Sequence, residues 1–423
     1  MKKIDKPTNW YRIDNAGKLY TVLHKPNCTC VFRVAVNLKK QVKPEFLEKA
    51  INDLKPRFPT LYVRRKNGFF WYYFEPNKKP VVLREEDSVM NKYIESNANN
   101  NYLFAFYYYQ NRISLECCHA LTDGYGGMEL LKSVVYRYLE LAGYEMQTEN
   151  KIRTYDQEVT PAETEDSYKK YYTENDRKRE KIPDAYHIKG QKLDMSKGTG
   201  VIFGKMDANE LKLVAKKYNA SITGYLSALY TWSVWKTHFD KIKKNQPINV
   251  CIPVNLRKMF PSETLRNFSL VFYTSIACDN NTTFQDVLKQ TYQAFVDGIS
   301  KEKLQTFLNA NVYMEKSFRI KLFPLFLKNI VIGIANVVIG EKNNTRSLSN
   351  MGIVDIPECM KEQIIDFECS NTTGVAIMTA NNRATISFSR EIVDTKIEQF
   401  FFSALADEGI KVEIQSNLKE EIS

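Results

Sequence analysis

The segment RISLECCHALTDGYGG, which occupies residues 112–127, decides the fold. Residues 112–118 follow a turn at Gln110 and Asn111 and predict a strand, and the apolar periodicity of residues 128–141 predicts a helix. His119 stands directly after the strand. This context places the imidazole at the mouth of a sheet, where it can face a channel.

Two further residues of this loop favour a functional role for His119. Asp123 follows four residues later and can turn back to fix the loop through a charge pair, while Gly124 allows a tight backbone path into the helix. The His-x-x-x-Asp spacing is weak by itself because it occurs by chance in many proteins. A loop histidine with a purely structural role is the alternative, and the strand, helix and glycine together argue against it.

Strand and helix patterns alternate in both halves of the chain. We predict strands at residues 30–37, 68–74, 103–109, 200–205, 248–254, 270–277, 365–369, 375–379, 384–389 and 411–414. We predict helices at residues 43–54, 222–239, 285–298 and 396–408, with a further helix after the N-cap residue Asp207. The expected fold class is α/β with mixed sheets.

A change of composition predicts the boundary between the halves. Residues 145–181 are rich in Glu, Lys, Thr, Asp and Tyr and contain few aliphatic side chains, which is typical of a linker or a solvated surface segment. We expect an N-terminal lobe at residues 1–180, a charged linker at about 145–195 and a C-terminal lobe at 196–423.

Composition limits the classes of function. The 423 residues suit two or three cores or one large two-lobed unit, and 43% hydrophobic with 26% charged residues exclude wholesale disorder. The net charge of +11 suits either a phosphate-bearing ligand or a generally basic surface. No RNA-binding signature is present, so we expect no nucleic-acid partner. Because the chain has only 4 His, the choice of a catalytic histidine is narrow.

The eight cysteines predict neither a metal site nor disulfides, since none has zinc-site spacing and the closest pairs would strain a bridge. Residues 1–15 lack the apolar core of a secretory signal, so we expect a cytoplasmic protein. The most apolar stretch, residues 322–339, contains Pro324, Lys328, Asn329 and Asn336, which disfavours a membrane span. We expect a buried or acyl-facing helix there, with a surface-seeking helix and peripheral membrane contact as the alternative.

Signatures of several other enzyme classes are absent, including GxSxG, HExxH and the kinase motifs. The loop HALTDG, residues 119–124, instead resembles the HxxxDG motif of the chloramphenicol acetyltransferase-like superfamily. The stretches IPVNLR (252–257), LRNFS (265–269) and LSNMG (348–352) match that group in order. The likeness spans most of the chain and is closest to the bacterial alcohol acetyltransferase branch. Cys118 stands where condensation domains carry a second histidine, and the DFGWG segment of plant-type members is missing.

The resemblance implies two similar lobes with a substrate tunnel between them and His119 at its centre. His119 would act as the general base, and Asp123 would orient the loop by pairing with an arginine, with Arg257 the first candidate and Arg12 and Arg266 behind it. Donors for an oxyanion would come from Ser349, Asn350, Thr274 or Ser275. The motif stretch 267–269 is assigned a structural role that bridges the lobes.

The function implied is acyl transfer from acyl-CoA to a hydroxyl acceptor, with no permanently bound cofactor and no metal. Three alternatives stay open: an amine acceptor, a condensation-like enzyme that uses an acyl carrier protein as donor, and a thioester-binding member without turnover. We expect a monomer whose partners are the donor and a small-molecule acceptor.

Overall fold

The computed structural model describes residues 10–26, 28–175, 177–178, 181–194, 198–316, 323–335 and 342–418. Its strands form three sheets of three, five and seven strands, and helices cover their faces. The mixed α/β fold class predicted from the sequence is confirmed.

The strands are β1 (Tyr11–Arg12), β2 (Val31–Leu38), β3 (Val63–Asn67), β4 (Tyr72–Pro76), β5 (Leu83–Glu85), β6 (Phe104–Tyr109), β7 (Arg112–Cys118), β8 (Gly200–Asp207), β9 (Ile248–Asn255), β10 (Ser269–Ile276), β11 (Arg346–Ile353), β12 (Ile364–Ser370), β13 (Gly374–Ala380), β14 (Arg383–Arg390) and β15 (Glu413–Ser416). The helices are α1 (Asn15–Leu23), α2 (Pro44–Asp53), α3 (Gly124–Leu141), α4 (Pro161–Thr164), α5 (Ser167–Lys170), α6 (Ala208–Lys217), α7 (Ile222–His238), α8 (Phe284–Gly298), α9 (Lys301–Lys316), α10 (Leu325–Ala335), α11 (Glu358–Lys361) and α12 (Lys396–Asp407).

The five-stranded sheet has the order β12-β2-β7-β6-β5 and forms the core of the N-terminal half. Every residue of β2 is buried, and α3 packs against β2 and β7. The edge strand β12 belongs to the C-terminal half, and its Phe367 pairs with Val36 of β2 in antiparallel register. The two halves are therefore interleaved, because the second half supplies one strand to the sheet of the first.

The seven-stranded sheet has the order β10-β9-β11-β13-β14-β8-β15 and forms the core of the C-terminal half. Helices α6, α7, α8 and α12 pack on it and on one another. Asp207 caps α6 as the sequence predicts, and its side chain accepts hydrogen bonds from the N–H groups of Asn209 and Glu210 at 2.7 and 3.0 Å. The small sheet β1-β4-β3 shares no strand ladder with either large sheet, but its Val63 and Phe74 pack in the hydrophobic core of the N-terminal half.

The charged segment 145–195 is not solvated throughout. The buried carboxylate of Glu163 accepts two hydrogen bonds from Arg57 at 2.8 and 2.7 Å. The buried Tyr168 donates from its hydroxyl to the carbonyl of Ser269 at 2.6 Å. Part of this segment is therefore packed against both halves, although its composition is typical of a linker. Residues 176, 179–180 and 195 of the predicted linker lie outside the described residues.

Two aromatic or apolar predictions need correction. The predicted strand 68–74 begins only at Tyr72, and Phe69 and Phe70 occupy the turn between β3 and β4. The apolar stretch 322–339 contains helix α10, but one face of that helix is exposed and not buried. Residues 322 and 336–339 of this stretch lie outside the described part. Among the helices that are described, none is long and apolar enough to cross a bilayer.

Candidate active site

His119 is held by its backbone at the junction of the two halves. Its N–H donates to the carbonyl of Cys30 at 2.9 Å, which extends the pairing of β2 with β7 by one residue. Its carbonyl accepts from the Nδ2 atom of Asn267 at 3.0 Å, and Asn267 belongs to the C-terminal half. The position of the imidazole therefore depends on both halves.

Two aromatic rings flank the imidazole of His119. The ring of Tyr20, on α1, stacks against it with centroids 4.9 Å apart and an interplanar angle of 25°. The ring of Phe32, on β2, lies 4.6 Å away at 43°. Both rings remove water from the imidazole and restrict its rotation. Nothing in the motif marks either residue, so sequence reasoning missed both.

Burial among these rings lowers the pKa of His119 from 6.5 to about 4. The negative charge of Asp123 and a hydrogen bond with the Thr122 backbone oppose this shift, but desolvation is the larger effect. The imidazole is therefore neutral at physiological pH. A neutral imidazole has a lone pair that can accept a proton, as a general base requires.

Asp123 does not face the imidazole as a partner but forms a buried ion pair with Arg257. The Nη1 atom of Arg257 donates to Oδ2 at 2.8 Å, and Nη2 donates to Oδ1 at 3.2 Å. The N–H groups of Gly126 and Phe268 donate to the same carboxylate at 3.2 and 2.9 Å. Four hydrogen bonds thus satisfy a carboxylate that also caps the N-terminus of α3.

Of the three arginines considered from the sequence, Arg257 makes this pair. Its remaining donors reach the carbonyls of Thr264 and Arg266 at 3.0 and 2.6 Å. Arg266 lies 3.7 Å from the carboxylate of Asp14 and donates to the carbonyl of Arg12. The guanidinium of Arg257 is therefore held in one orientation by its own half of the chain.

The stretch 264–268 ties the histidine loop to the C-terminal half. The hydroxyl of Thr122 donates to the carbonyl of Leu265 at 2.6 Å, next to the contacts of Asn267 and Phe268 described above. The close approach of the histidine loop to the Leu265 backbone requires glycine at position 126, because a Cβ atom there would lie 2.2 Å from the Leu265 oxygen. At Gly124 a Cβ would meet the flexible end of the Met351 side chain at 2.6 Å, which can move aside, so packing alone does not require glycine there.

The imidazole faces a cavity of about 1690 Å³ that residues of both halves line. Tyr20, Phe32 and Met128 belong to its N-terminal wall, and Pro253 and Val271 to its C-terminal wall. Among the residues that the structure describes, six Lys and Arg and five Asp and Glu line the wall. The excess positive charge of the chain is therefore not concentrated in this cavity.

Of the candidate oxyanion donors, some face the cavity and others do not. Ser349 and Asn350 lie on the cavity wall in β11. The amide of Asn350 donates to the Thr223 hydroxyl at 2.8 Å and its Oδ1 atom accepts from the Gly352 N–H at 2.8 Å, which fixes its orientation. Thr274 is fully buried on the opposite face of β10, so it does not reach the cavity. Tyr273 faces the cavity in its place, because adjacent strand residues point to opposite faces.

The other three histidines differ in their surroundings. His187 lines the cavity, whereas His24 and His238 are buried beside Thr29 and Thr237. All eight cysteines are free thiols. In the part of the chain that the structure describes, no group of three His, Cys, Asp or Glu side chains is placed to hold a metal ion.

No protein-family model and no curated protein matches the sequence. Solved structures do match the fold over nearly the whole chain. F. graminearum TRI101 complexed with ethyl coenzyme A matches with a TM-score of 0.65 at 10% identity, over 97% of this chain and 99% of that chain. The chain therefore has the same fold as this structure, the chloramphenicol acetyltransferase-like fold.

Two further structures extend this comparison. Polyketide synthase associated protein 5 from Mycobacterium tuberculosis matches with a TM-score of 0.56 at 12% identity, over 95% and 98% of the two chains. The first condensation domain of the CDA synthetase matches with a TM-score of 0.57 at 11% identity, over 95% and 97%. The chloramphenicol acetyltransferase-like fold expected from the His119 loop is thus confirmed, while the residue roles remain predictions.

Proposed function

We propose that the protein is an acyltransferase that moves an acyl group from the thioester of acyl-CoA to a hydroxyl acceptor, with His119 as the general base. One observation carries the proposal. The imidazole of His119, flanked by Tyr20 and Phe32, faces a cavity between two halves of the chain, and the ion pair of Asp123 with Arg257 holds its loop in place. The fold adds support, since solved structures of this fold include complexes with coenzyme A.

In the proposed reaction the imidazole accepts the proton of the acceptor hydroxyl while the oxygen attacks the thioester carbonyl. The carbon–sulfur bond then breaks, and the imidazolium returns the proton to the departing thiolate. The products are an ester and the free thiol of CoA, so atoms and charge balance without an acyl-enzyme. Such proton transfer contributes about 10² to 10⁴-fold to the rate, and positioning both substrates in one cavity adds to it.

The other residues of the site act on the histidine or on the carbonyl. Asp123 and Arg257 are positioning residues, because their charges are satisfied by each other and by the backbone. Ser349 is the candidate donor to the oxyanion that forms during the attack, since it faces the cavity and Asn350 is engaged with Thr223. Tyr20 and Phe32 keep water from the reacting groups.

The experiment measures thiol release from a series of acyl-CoA donors with a panel of alcohols and amines. We expect His119→Ala to lower kcat by about 10² to 10⁴-fold, the usual contribution of a general base. His187→Ala is the matched control, since His187 also lines the cavity but does not contact Tyr20 or Phe32. Product mass spectrometry separates an ester from an amide.

Three outcomes decide between the proposal and its alternatives. Thiol release that depends on His119 and yields an ester supports the proposal. An amide product would show that the acceptor is an amine and not an alcohol. Binding of CoA without turnover by the wild-type protein, with every donor and with acyl groups on a carrier protein, overturns the enzymatic function.

A further inference from the structure

An exposed apolar surface lies outside the proposed site. It comprises the tip of the β3–β4 hairpin and the outer side of helix α10, and we call it the apolar face. Its members, with their exposed fractions, are Phe69 (73%), Phe70 (42%), Phe323 (48%), Phe326 (64%), Ile330 (57%), Val331 (61%) and Ile334 (59%). Large contiguous apolar surfaces of this kind mark sites of interaction with another apolar body.

Specific hydrogen bonds hold α10 on the hairpin. The N–H of Leu325 donates to the carbonyl of Phe69 at 3.0 Å, and the ammonium of Lys328 donates to the carbonyl of Phe70 at 2.8 Å. The amide of Asn329 donates to the hydroxyl of Tyr72 at 2.8 Å. Hairpin and helix therefore form one surface and not two separate projections.

The orientation of α10 is the reverse of an ordinary surface helix. Lys328 is only 4% exposed and lies over the ring of Trp71 at 4.0 Å, whereas Phe326 and Val331 point outward. A helix at a water-facing surface normally buries its apolar stripe and exposes its polar one. The inversion predicts that the outer side of α10 meets a medium or partner that is less polar than water.

The length of α10 indicates how it would meet a bilayer. Its 11 residues span about 16 Å at a rise of about 1.5 Å per residue, roughly half of the hydrocarbon core of a bilayer, which is about 30 Å thick. The 11 described residues are too few to cross, and the N–H of Leu325 at their N-terminus is hydrogen-bonded to the hairpin. The helix can lie in the plane of the interface, as short membrane-surface helices do.

The rim beside the hairpin has the charge and the aromatic residues that suit an anionic lipid surface. Arg12 of β1, Tyr73 of β4 and Lys66 of β3 are paired in register and therefore share one side of the small sheet. The adjacent Tyr72 points to the other side, where its hydroxyl accepts from Asn329, so the hairpin tip has α10 on one side and these residues on the other. The exposed ring of Trp10 packs on Tyr73 at 6.0 Å. Tryptophan and tyrosine favour the headgroup level, and arginine and lysine attract anionic headgroups.

We propose that the apolar face docks in the plane of a lipid bilayer that carries anionic headgroups, with Arg12 and Lys66 at the headgroups. The inference goes beyond the proposed acyl transfer and does not depend on it. It has a geometric consequence, because α1 packs against α10 and contributes Leu19, Tyr20 and Leu23 to the cavity wall. The cavity is thus one helix away from the docked surface.

The test is co-sedimentation of the full-length protein with phosphatidylcholine vesicles, with and without about one third phosphatidylglycerol as the source of negative surface potential. We expect the triple variant Phe69→Asp/Phe326→Asp/Val331→Asp to lower the vesicle partition coefficient at least about tenfold, since three exposed apolar anchors are lost. The variant Arg12→Gln/Lys66→Gln should lower binding to the anionic vesicles by about fivefold for each charge and leave binding to pure phosphatidylcholine unchanged.

Leu213→Asp is the matched control. Leu213 is similarly exposed but lies on α6, away from the apolar face, so its substitution should not change binding. Circular dichroism checks that each variant is folded, and thiol release with soluble substrates shows whether the proposed site still works. Failure of acyl transfer therefore cannot be mistaken for failure of docking.

Three results would overturn the docking proposal. The first is wild-type protein that stays in the supernatant with both kinds of vesicle. The second is binding that the triple variant retains in full. The third is a dimer in sedimentation equilibrium that the triple variant dissociates, together with no vesicle binding, because the apolar face would then cover a second copy of the chain.

Discussion

Asp123 and Arg257 meet across the boundary between the two halves of the chain, with donor–acceptor distances of 2.8 and 3.2 Å. Both side chains are buried, and every oxygen of the carboxylate accepts a hydrogen bond. The contact joins the loop that carries His119 to the C-terminal half. The position of the histidine is therefore coupled to the assembly of the whole molecule.

Removal of one partner of this pair should destabilise the protein strongly. We expect Asp123→Ala to lower the free energy of unfolding by about 3 to 5 kcal/mol, because it leaves the Arg257 guanidinium buried without its counter-charge. Urea unfolding followed by circular dichroism measures the change. Lys361→Ala is the control, since its exposed pair with Glu358 should contribute no more than about 1 kcal/mol. If both substitutions lowered the free energy of unfolding equally, the buried pair would not stabilise the protein more than an exposed one.

The pKa of His119 predicts the acid limb of the pH profile. A base with a pKa of about 4 stays unprotonated down to about pH 5, so kcat/KM should fall with a midpoint near 4 and not near 6.5. In the unfolded chain the imidazole of His119 has its ordinary pKa of 6.5 and takes up a proton that the folded protein does not bind until about pH 4. The free energy of unfolding should therefore fall as the pH drops from 6.5 to about 4. Circular dichroism at each pH separates lost catalysis from unfolding. A midpoint near 6.5 in folded protein would show that the imidazole is hydrated.

The ring of Tyr20 should contribute to that low pKa. Replacing it in Tyr20→Ala opens one side of the imidazole to water, so we expect the pKa of His119 to rise towards its ordinary value. The acid limb of kcat/KM should move to higher pH, and NMR titration of the imidazole gives the pKa directly. Tyr20→Phe keeps the ring and should keep the pKa. A purely structural role for Tyr20 would lower activity without moving either titration.

Gly126 should not tolerate a side chain. A Cβ atom would lie 2.2 Å from the Leu265 carbonyl and equally close to the Thr122 hydroxyl, so Gly126→Ala must displace the backbone that joins the halves. We expect a loss of about 1 to 3 kcal/mol in the free energy of unfolding. Gly333→Ala is the control, because a Cβ at this helical position meets nothing within 4 Å. It should be neutral or stabilise by up to about 1 kcal/mol through helix propensity. Equal stability of the two variants would mean that the loop can shift freely.

Local patterns in the sequence were sufficient to predict most elements. The strand before His119, the helix after it and the N-cap at Asp207 all depend on neighbours within a few residues. The loop motif was also sufficient to predict the fold, since solved structures of the same fold match nearly the whole chain. In the site itself, the sequence led to His119 and to Arg257 as the first arginine to examine for Asp123.

Long-range contacts decided the rest. Neither Tyr20 nor Phe32 could be assigned to the histidine from spacing, because they lie 99 and 87 residues before it in the chain and contact it only in the tertiary structure. Tyr273, and not the predicted Thr274, lines the cavity because of the face of β10 that packs on the core. A shift of one residue in a strand moves every side chain to the other face, so the sequence alone did not determine which residue faces the cavity.

In the apolar stretch around α10, too, the sequence determined one property and the tertiary structure another. Its sequence determined that a helix too polar for a membrane span would form, because Pro324, Lys328 and Asn329 interrupt it. Only the tertiary structure decided which side faces outward, since the hydrogen bonds of Lys328 and Asn329 to the hairpin turn the polar side inward. Periodicity specifies the faces of an element, whereas the partner that covers each face depends on residues far away in the chain.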